Sequence, residues 1–338
     1  MNILMTSVHF YPHIGGIEIV TENLAREFVT LGHSVTVVTT TPDSLSGSKR
    51  FSFDVLRNPS AYELWVAYKK CDIFVHQGIS LKWVWPLLLN RRPWIIVYHQ
   101  VHFQKGILGY IKRACSYFAY SIAVSETAKR GCGLKNAKVI YNSYDDGIFY
   151  MRNDCERQNF VFVGRISKEK GCYVLLDAFS KYKKSVDNNS QLTLIGDSDE
   201  KQAIETYARD LPCSNDIHFL GFKEPCEIAK ILNKHKVLIV PSTFPYVEAF
   251  GLVVLEGLAC GCIVIGSTGN GIEEALNNCG YTFINGNSEK LAECMLHVDN
   301  LSEGQLQKIK EKSFCWLQQR TLNEVAKAYI SEFNKYVS

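Results

Sequence analysis

The sequence predicts an α/β fold of two Rossmann-like domains in tandem, facing each other across a cleft. Three observations carry that prediction. Short apolar runs alternate with helix-period segments along most of the chain, an order that demands parallel strands joined by right-handed crossovers. The series runs twice, from Asn2 and again from Asn159, on either side of the polar stretch 151–158. The length of 338 residues suits about two domains of roughly 150 residues each.

The first strand is expected over residues 2–8, a near-continuous apolar run of the kind a strand buried on both faces shows. Residues 9–16 read as a loop, and 17–31 as an amphipathic helix stopped by Gly32. A second strand at 34–40 completes the first β-α-β unit. Further strands are expected at 51–57, 72–76, 93–99, 121–124 and 138–142. The second series opens at 159–164 and continues at 191–195, 217–220, 237–240 and 262–266, each run followed by a helical pattern. Beyond about residue 287 the chain reads as helix only, ending at 322–337. The expected domains are residues 1–155 and 156–338, with the last helix a candidate to pack back on the first domain.

Composition narrows the function. A net charge of +3 does not argue for nucleic acid as the partner. The twelve cysteines are scattered, and no C-x2-C couple exists to build a zinc site. Cys172, Cys260 and Cys262 lie in apolar periodic stretches, where a reduced cysteine packs as a small hydrophobe. The opening Met1-Asn2-Ile3-Leu4-Met5 reads as a strand rather than a leader, so a reducing, cytoplasmic compartment is expected. No run of about 18 apolar residues is present to span a membrane.

Parallel sheets bind ligands beyond the carboxyl ends of their strands, so the loops there matter most. Glu248-Ala-Phe-Gly251 leads into a helical pattern through Leu255 and Leu258, with Glu256 eight positions beyond Glu248. A helix starting near Phe250-Gly251 aims its free amides at the space between the two carboxylates, an arrangement that suits a phosphate. The loop 164–171 carries Arg165 and Lys170. A planar fork beside a mobile point charge suits a diphosphate, though a solvated basic loop would read the same. Gly15-Gly16 allows close backbone approach at a helix start, but the G-x-G-x-x-G fingerprint is absent, which lowers a dehydrogenase reading. His99 ends a strand on the side expected to line the cleft. Asp197-Ser198-Asp199 has the form of a metal-binding D-x-D pair. Capping of the following helix by Ser198 or Asp199 explains it better, and no metal is expected.

Together these pieces resemble the GT-B glycosyltransferases, in particular the large retaining family 4 (glycosyltransferases group 1). The matching residues are Gly15-Gly16, His99, Gly164-Arg165 with Glu169-Lys170-Gly171, and Glu248-Ala-Phe-Gly251 through Glu256. Gly269-Asn270-Gly271-Ile272-Glu273-Glu274 is similar to the family's glycine-pair-then-glutamate loop. The match covers nearly the whole chain and is most specific over 159–275. It implies a nucleotide-sugar donor, with UDP the default, and no metal. By that resemblance Arg165 and Lys170 neutralise the diphosphate, and the amides of Gly251, Leu252 and Val253, beside Phe250, receive it. Glu256 accepts from ribose hydroxyls, and the Gly221-Phe222-Lys223 loop meets the base. Glu248 and His99 are the catalytic candidates at the donor sugar. The resemblance implies retention of configuration and transfer of a hexosyl or N-acetylhexosaminyl group, in cell-surface polysaccharide, lipopolysaccharide or glycolipid synthesis. Two departures stand out. Residues 242–248 are longer and more aromatic than the common family loop, and Asn270 replaces a glycine.

No acidic residue occurs between Asp72 and Glu126, whereas Lys82, Arg91, Arg92, Lys105, Lys112 and Arg113 are interleaved with aromatics. Such a face suits an anionic membrane surface, with Lys105, Lys112 and Arg113 the expected docking cations. Single-stranded nucleic acid is the competing partner for basic and aromatic residues so mixed. A lipid-linked glycan acceptor and a peripheral position at the inner face of the membrane are expected. The alternatives are an enzyme with a small soluble acceptor and a non-catalytic nucleotide-sugar-binding protein.

Overall fold

The computed structural model describes residues 1–13, 15–45, 49–103, 106–152, 156–186 and 189–337. The chain divides into two compact units, Met1–Ser143 with Leu322–Ser338, and Tyr144–Thr321. Each is a parallel-sheet α/β unit, as expected.

Unit 1 runs β1 (Asn2–Ser7), α1 (Gly16–Thr30), β2 (Ser34–Thr39), β3 (Asp54–Arg57), α2 (Ala61–Lys70), β4 (Ile73–Gln77), α3 (Pro86–Leu89), β5 (Trp94–Tyr98), α4 (Ile107–Ser116), β6 (Tyr120–Ala123), α5 (Glu126–Gly131) and β7 (Lys138–Val139). The strand order is β3-β2-β1-β4-β5-β6-β7. Every pair is parallel, and Met5 sits level with Val37 on one side and Val75 on the other. Every residue of β4 and β5 is buried, which is why those runs do not alternate. The helix α2 starts on a capping box in which Ser60 and Glu63 bond each other's backbone N–H. The expected strand at 51–57 begins only at Asp54. Phe51 and Phe53 instead pack as aromatics on Phe10, with ring centroids 5.3 and 6.2 Å away.

Unit 2 runs β8 (Gln158–Val163), α6 (Cys172–Ser185), β9 (Leu192–Ile195), α7 (Lys201–Arg209), β10 (Ile217–Phe219), α8 (Pro225–Leu232), β11 (His235–Val240), α9 (Leu252–Ala259), β12 (Ile263–Ser267), α10 (Gly271–Leu276), β13 (Tyr281–Phe283), α11 (Ser288–Asp299) and α12 (Glu303–Gln318). Its order is β10-β9-β8-β11-β12-β13. The order reverses between β8 and β11, as it does between β1 and β4 in unit 1. β13 is a three-residue strand that the apolar pattern did not predict.

The polar stretch expected to divide the domains near residue 155 belongs to unit 2. Asn233 accepts from the Arg152 N–H at 2.7 Å and donates to the Tyr150 carbonyl at 3.0 Å. The Arg157 guanidinium donates to the Arg152 and Cys260 carbonyls at 2.7 and 3.2 Å. These bonds tie Tyr150, Arg152 and Arg157 to the ends of α8 and α9. The terminal helix α13 (Leu322–Val337) belongs to unit 1. Tyr329 and Phe333 pack edge-on against Phe28 of α1, at 6.3 and 5.7 Å. The cysteines among the described residues are free thiols. No helix among those residues is long and apolar enough to cross a membrane.

Candidate functional site

Because the strand order of unit 2 reverses between β8 and β11, the loops beyond these neighbouring strands diverge to opposite faces and leave room for a ligand. The chain brings them close through Gly171, which caps α6 at φ +77°. A Cβ here would lie 1.9 Å from the Pro241 carbonyl oxygen, so only glycine allows the approach. The Thr243 N–H then donates to the Glu169 carbonyl at 2.9 Å, and its hydroxyl to the Lys168 carbonyl at 2.9 Å. The loops 164–171 and 241–251 are thus laced backbone to backbone.

Lys170 sits at this seam. Its ammonium donates to the Glu248 carboxylate and, at 3.3 Å, to the Tyr246 hydroxyl. It also lies 4.7 Å from the centre of the Tyr246 ring. Both side chains of the ion pair are only 18% exposed. Burial pulls the Lys170 pKa down, but Glu248 and Tyr246 overcome this and hold it above the ordinary lysine value, so the ammonium is charged. Arg165 is exposed. It stands 3.5 Å from Glu169 and 6.0 Å from the Tyr246 ring centre.

The helix α9 starts at the same place. Gly251 caps it at φ +90°, a left-handed value that strains any side chain, and a Cβ there would touch Glu248. The Phe250 side chain is wholly buried and anchors the loop in the core. Leu252 and Val253, in the first turn, are half-buried and their amides have no intrahelical acceptor. Glu256, on the second turn, receives no side-chain hydrogen bond among the described residues. Burial, and after it the carboxylate of Asp145, push its pKa up to about 7.

A third loop completes the rim. The Gly271 N–H donates to the Glu248 carbonyl at 2.8 Å. Asn270, where the family has glycine, caps α10 by accepting from the Ile272 N–H at 2.8 Å and donates to Ser267 at 3.0 Å. Phe222 is exposed in the loop after β10, whose Gly221 carbonyl accepts from the Gly196 N–H at 2.9 Å. In the D-x-D stretch Asp197 accepts from the Ser198 N–H at 2.9 Å, and Ser198 accepts from the Glu200 N–H at 3.1 Å. The Ser198 hydroxyl therefore closes the turn before α7, whose N-cap is Glu200. Among the described residues no three His, Cys, Asp or Glu side chains gather as a metal site would need.

The structure thus gathers Arg165, Lys170, Glu248 and Gly251, with Glu256 on the second turn of α9. Gly15, Gly16 and His99 belong to unit 1. Gly15 and Gly16 start α1, and the Glu18 carboxylate folds back so far that a Cβ on Gly15 would meet it at 2.5 Å. His99 follows β5, half-buried, with Nε2 2.6 Å from Oε1 of Gln77. An amide oxygen only accepts, so Nε2 carries the proton and Nδ1 is left as a bare acceptor. Burial pushes the His99 pKa down to about 4, and the ring is neutral. His76 next to Gln77 is wholly buried, both its ring nitrogens lack a hydrogen-bond partner among the described residues, and its pKa is pushed down to about 3 by burial.

Of the expected docking cations, Lys105 lies outside the described residues, Lys112 is half-buried, and Arg113 is exposed over the Phe103 ring at 5.4 Å. What dominates α4 and the two residues after it is apolar exposure: Ile107 is 79%, Tyr117 83% and Phe118 85% accessible, with Leu108, Tyr110 and Ile111 also exposed. Sequence reasoning passed over Tyr246 and Gln77. The aromatic character of 242–248 was a usable signal for the first. The second sits in an apolar strand and gave none.

Comparison with known proteins bears on the family and the fold. Residues 152–312 match the model of glycosyl transferases group 1, and residues 14–147 that of glycosyltransferase family 4. The uncharacterized glycosyltransferase MJ1178 of Methanocaldococcus jannaschii is 30% identical, over 94% of this chain and 95% of its own. A glycosyltransferase from Rickettsia africae superposes with a TM-score of 0.84 at 17% identity, covering 100% of this chain and 98% of that one. Anabaena HepE in complex with UDP gives a TM-score of 0.84 at 17% identity, covering 99% of this chain and 100% of that one.

Proposed function

Since the chain belongs to the family 4 glycosyltransferases of the GT-B type, we propose that it is a retaining enzyme moving a hexosyl or N-acetylhexosaminyl group from a UDP-sugar to a lipid-linked glycan. The observation that carries this reading is the charged Lys170 at the seam of the β8 and β11 loops, held by Glu248 and Tyr246 beside Arg165. The UDP assignment draws support from HepE, solved with UDP.

In this reading the diphosphate lies against Arg165, Lys170 and the amides of Gly251, Leu252 and Val253. Negative charge grows on the leaving phosphate as the bond to the anomeric carbon breaks. Fixed cations and helix-end amides therefore stabilise the transition state more than the ground state. The acceptor oxygen attacks the same face of the oxocarbenium-like centre, and its proton passes to the departing phosphate oxygen. Glu248 takes donor-sugar hydroxyls on the carboxylate it shares with Lys170. His99, neutral with Nδ1 bare, accepts from a sugar hydroxyl. Glu256 accepts from the ribose hydroxyls, whose donors relieve its unpartnered carboxylate. Phe222 stacks near the base, and Gly15-Gly16 permits close backbone approach to the sugar. The leaving charge is assigned to these groups rather than to a metal at Asp197 and Asp199, because that turn is closed by its own hydrogen bonds.

The exposed apolar face of α4, in a stretch without acids, supports docking to an anionic bilayer that carries the acceptor. Synthesis of cell-surface polysaccharide, lipopolysaccharide or glycolipid would place such an enzyme in the cytoplasm, peripheral to the inner membrane. The test is a donor screen of the purified chain with a lipid-diphosphate-sugar acceptor, reading the product's anomeric configuration by NMR. Transfer with retention, lost in Glu256→Ala, is expected. An inverted product, or transfer to free sugars alone, would overturn the proposal.

A further inference from the structure

We infer that Tyr246 is a positioning residue that holds Arg165 and Lys170 as one paired anion receptor. This rests on the reading of those two cations as diphosphate ligands. Like charges on one short loop repel each other and tend to turn apart into water. The loop itself does little to prevent that. The Arg165–Glu169 pair is more than half exposed on both sides, at 3.5 Å, and such pairs are weak. Tyr246 supplies what is missing. Its ring centre lies 4.7 Å from the Lys170 nitrogen and 6.0 Å from the Arg165 guanidinium carbon, so both cations are within reach of the one π-system. Its hydroxyl accepts from Lys170 at 3.3 Å. A lysine ammonium has three N–H donors. Glu248 and Tyr246 take two, which leaves the third for a ligand.

The tyrosine is itself fixed to the loop whose cations it holds. Its N–H donates to the Thr243 carbonyl at 3.1 Å, and Thr243 is bonded to Glu169 and Lys168. The adjoining Phe244 N–H donates to Asn285 at 3.1 Å. The residue type fits the task. A further carboxylate here, added to Glu248 and Glu169, would leave the cluster with an excess of negative charge and repel a phosphate, whereas a phenol gathers the cations and adds no charge. Phenylalanine would keep the ring and lose the bond to Lys170.

The experiment is calorimetric titration of UDP and of UMP into the full chain, comparing wild type with Tyr246→Phe, Tyr246→Leu and Lys170→Ala, each checked for an unchanged melting profile. Loss of a hydrogen bond to a charged group should weaken UDP binding about tenfold in Tyr246→Phe. Tyr246→Leu, which also removes the aromatic face, should weaken it by roughly thirtyfold or more. UMP, which spans only one of the two cations, should lose less than about threefold in either variant. Equal losses for UDP and UMP would mean that Tyr246 merely supports the loop, and would overturn the inference. So would UDP binding at wild-type strength in Tyr246→Leu. A wild type without preference for UDP over UMP, or a Lys170→Ala variant that binds UDP normally, would remove the diphosphate reading itself. The inference falls with it in that case, by an outcome distinct from failure at Tyr246 alone.

Discussion

The strand ends of the two units solve opposite problems with the same topology. Around β8 and β11 every charged group of the cluster but Glu256 is matched: Lys170 with Glu248, Arg165 with Glu169, and Tyr246 over both cations. Around β4 and β5 in unit 1 the groups are neutral and several are bare. His99 and His76 are uncharged, and among the described residues the Gln77 amide nitrogen and both His76 nitrogens have no hydrogen-bond partner. Burial explains both cases. Charge survives low exposure only when paired, and a histidine without an acid beside it gives up its proton. One region is therefore set up to take charge and the other to exchange neutral hydrogen bonds, with the apolar face of α4 an extension of that neutral character.

Lys170→Ala should break the comparison hardest. It removes a phosphate ligand and strands the Glu248 carboxylate, so UDP affinity should fall by about a hundredfold in calorimetry. Stability should fall by about 2 kcal/mol in urea titration, less than for a fully buried pair. Unchanged stability would mean that the ion pair forms no part of the resting protein.

Next in size is α4. Replacing Tyr117 and Phe118 by serine should cut binding to vesicles about tenfold, whether anionic or zwitterionic. Arg113→Gln should lower binding to anionic vesicles alone, by roughly threefold. A soluble acceptor is indicated if neither change alters vesicle binding in flotation assays.

Glu256 sharpens the comparison from within the charged region, because its carboxylate lacks a donor. Its folded pKa is raised, so the stability it contributes is full below its unfolded value and is lost as pH climbs through about 7. The melting temperature of Glu256→Gln minus that of wild type should therefore grow from pH 5 to pH 8, by roughly 3 °C without ligand. A difference flat with pH would mean that Glu256 is well solvated. The smallest effect is expected at Gln77→Glu, where a carboxylate beside His99 should raise its titration midpoint, read by 15N NMR. In the wild type the same spectra should show the proton on Nε2, and a proton on Nδ1 would reverse the assigned roles.

Much of this was legible in the chain. Runs such as 93–99 and 237–240 announce strands buried on both faces, and the doubled series announces two sheets. Arg165, Lys170, Glu248 and Glu256 stood out because charge at a strand end needs a reason. What stayed hidden was decided by packing. Three residues suffice for β13 because β12 supplies its partner, a circumstance no periodicity records. Residues 51–53 look like strand but are claimed by Phe10. The hydrophilic stretch 151–158 reads as a linker, yet Arg152 is bonded by Asn233 and Arg157 within unit 2. Tyr246 and Gln77 matter through partners 76 and 22 residues away, and a linear reading weighs neighbours in sequence.

The placement of α13 has a consequence for biosynthesis. Unit 1 is assembled from two stretches, Met1–Ser143 and Leu322–Ser338, with all of unit 2 intervening. On a ribosome unit 2 can mature while its predecessor still shows Phe28 uncovered. Emergence of Tyr329 and Phe333 then seals that scar. Truncation before residue 322 should accordingly yield a polypeptide whose inserted half is sound and whose leading half is prone to chaperone capture.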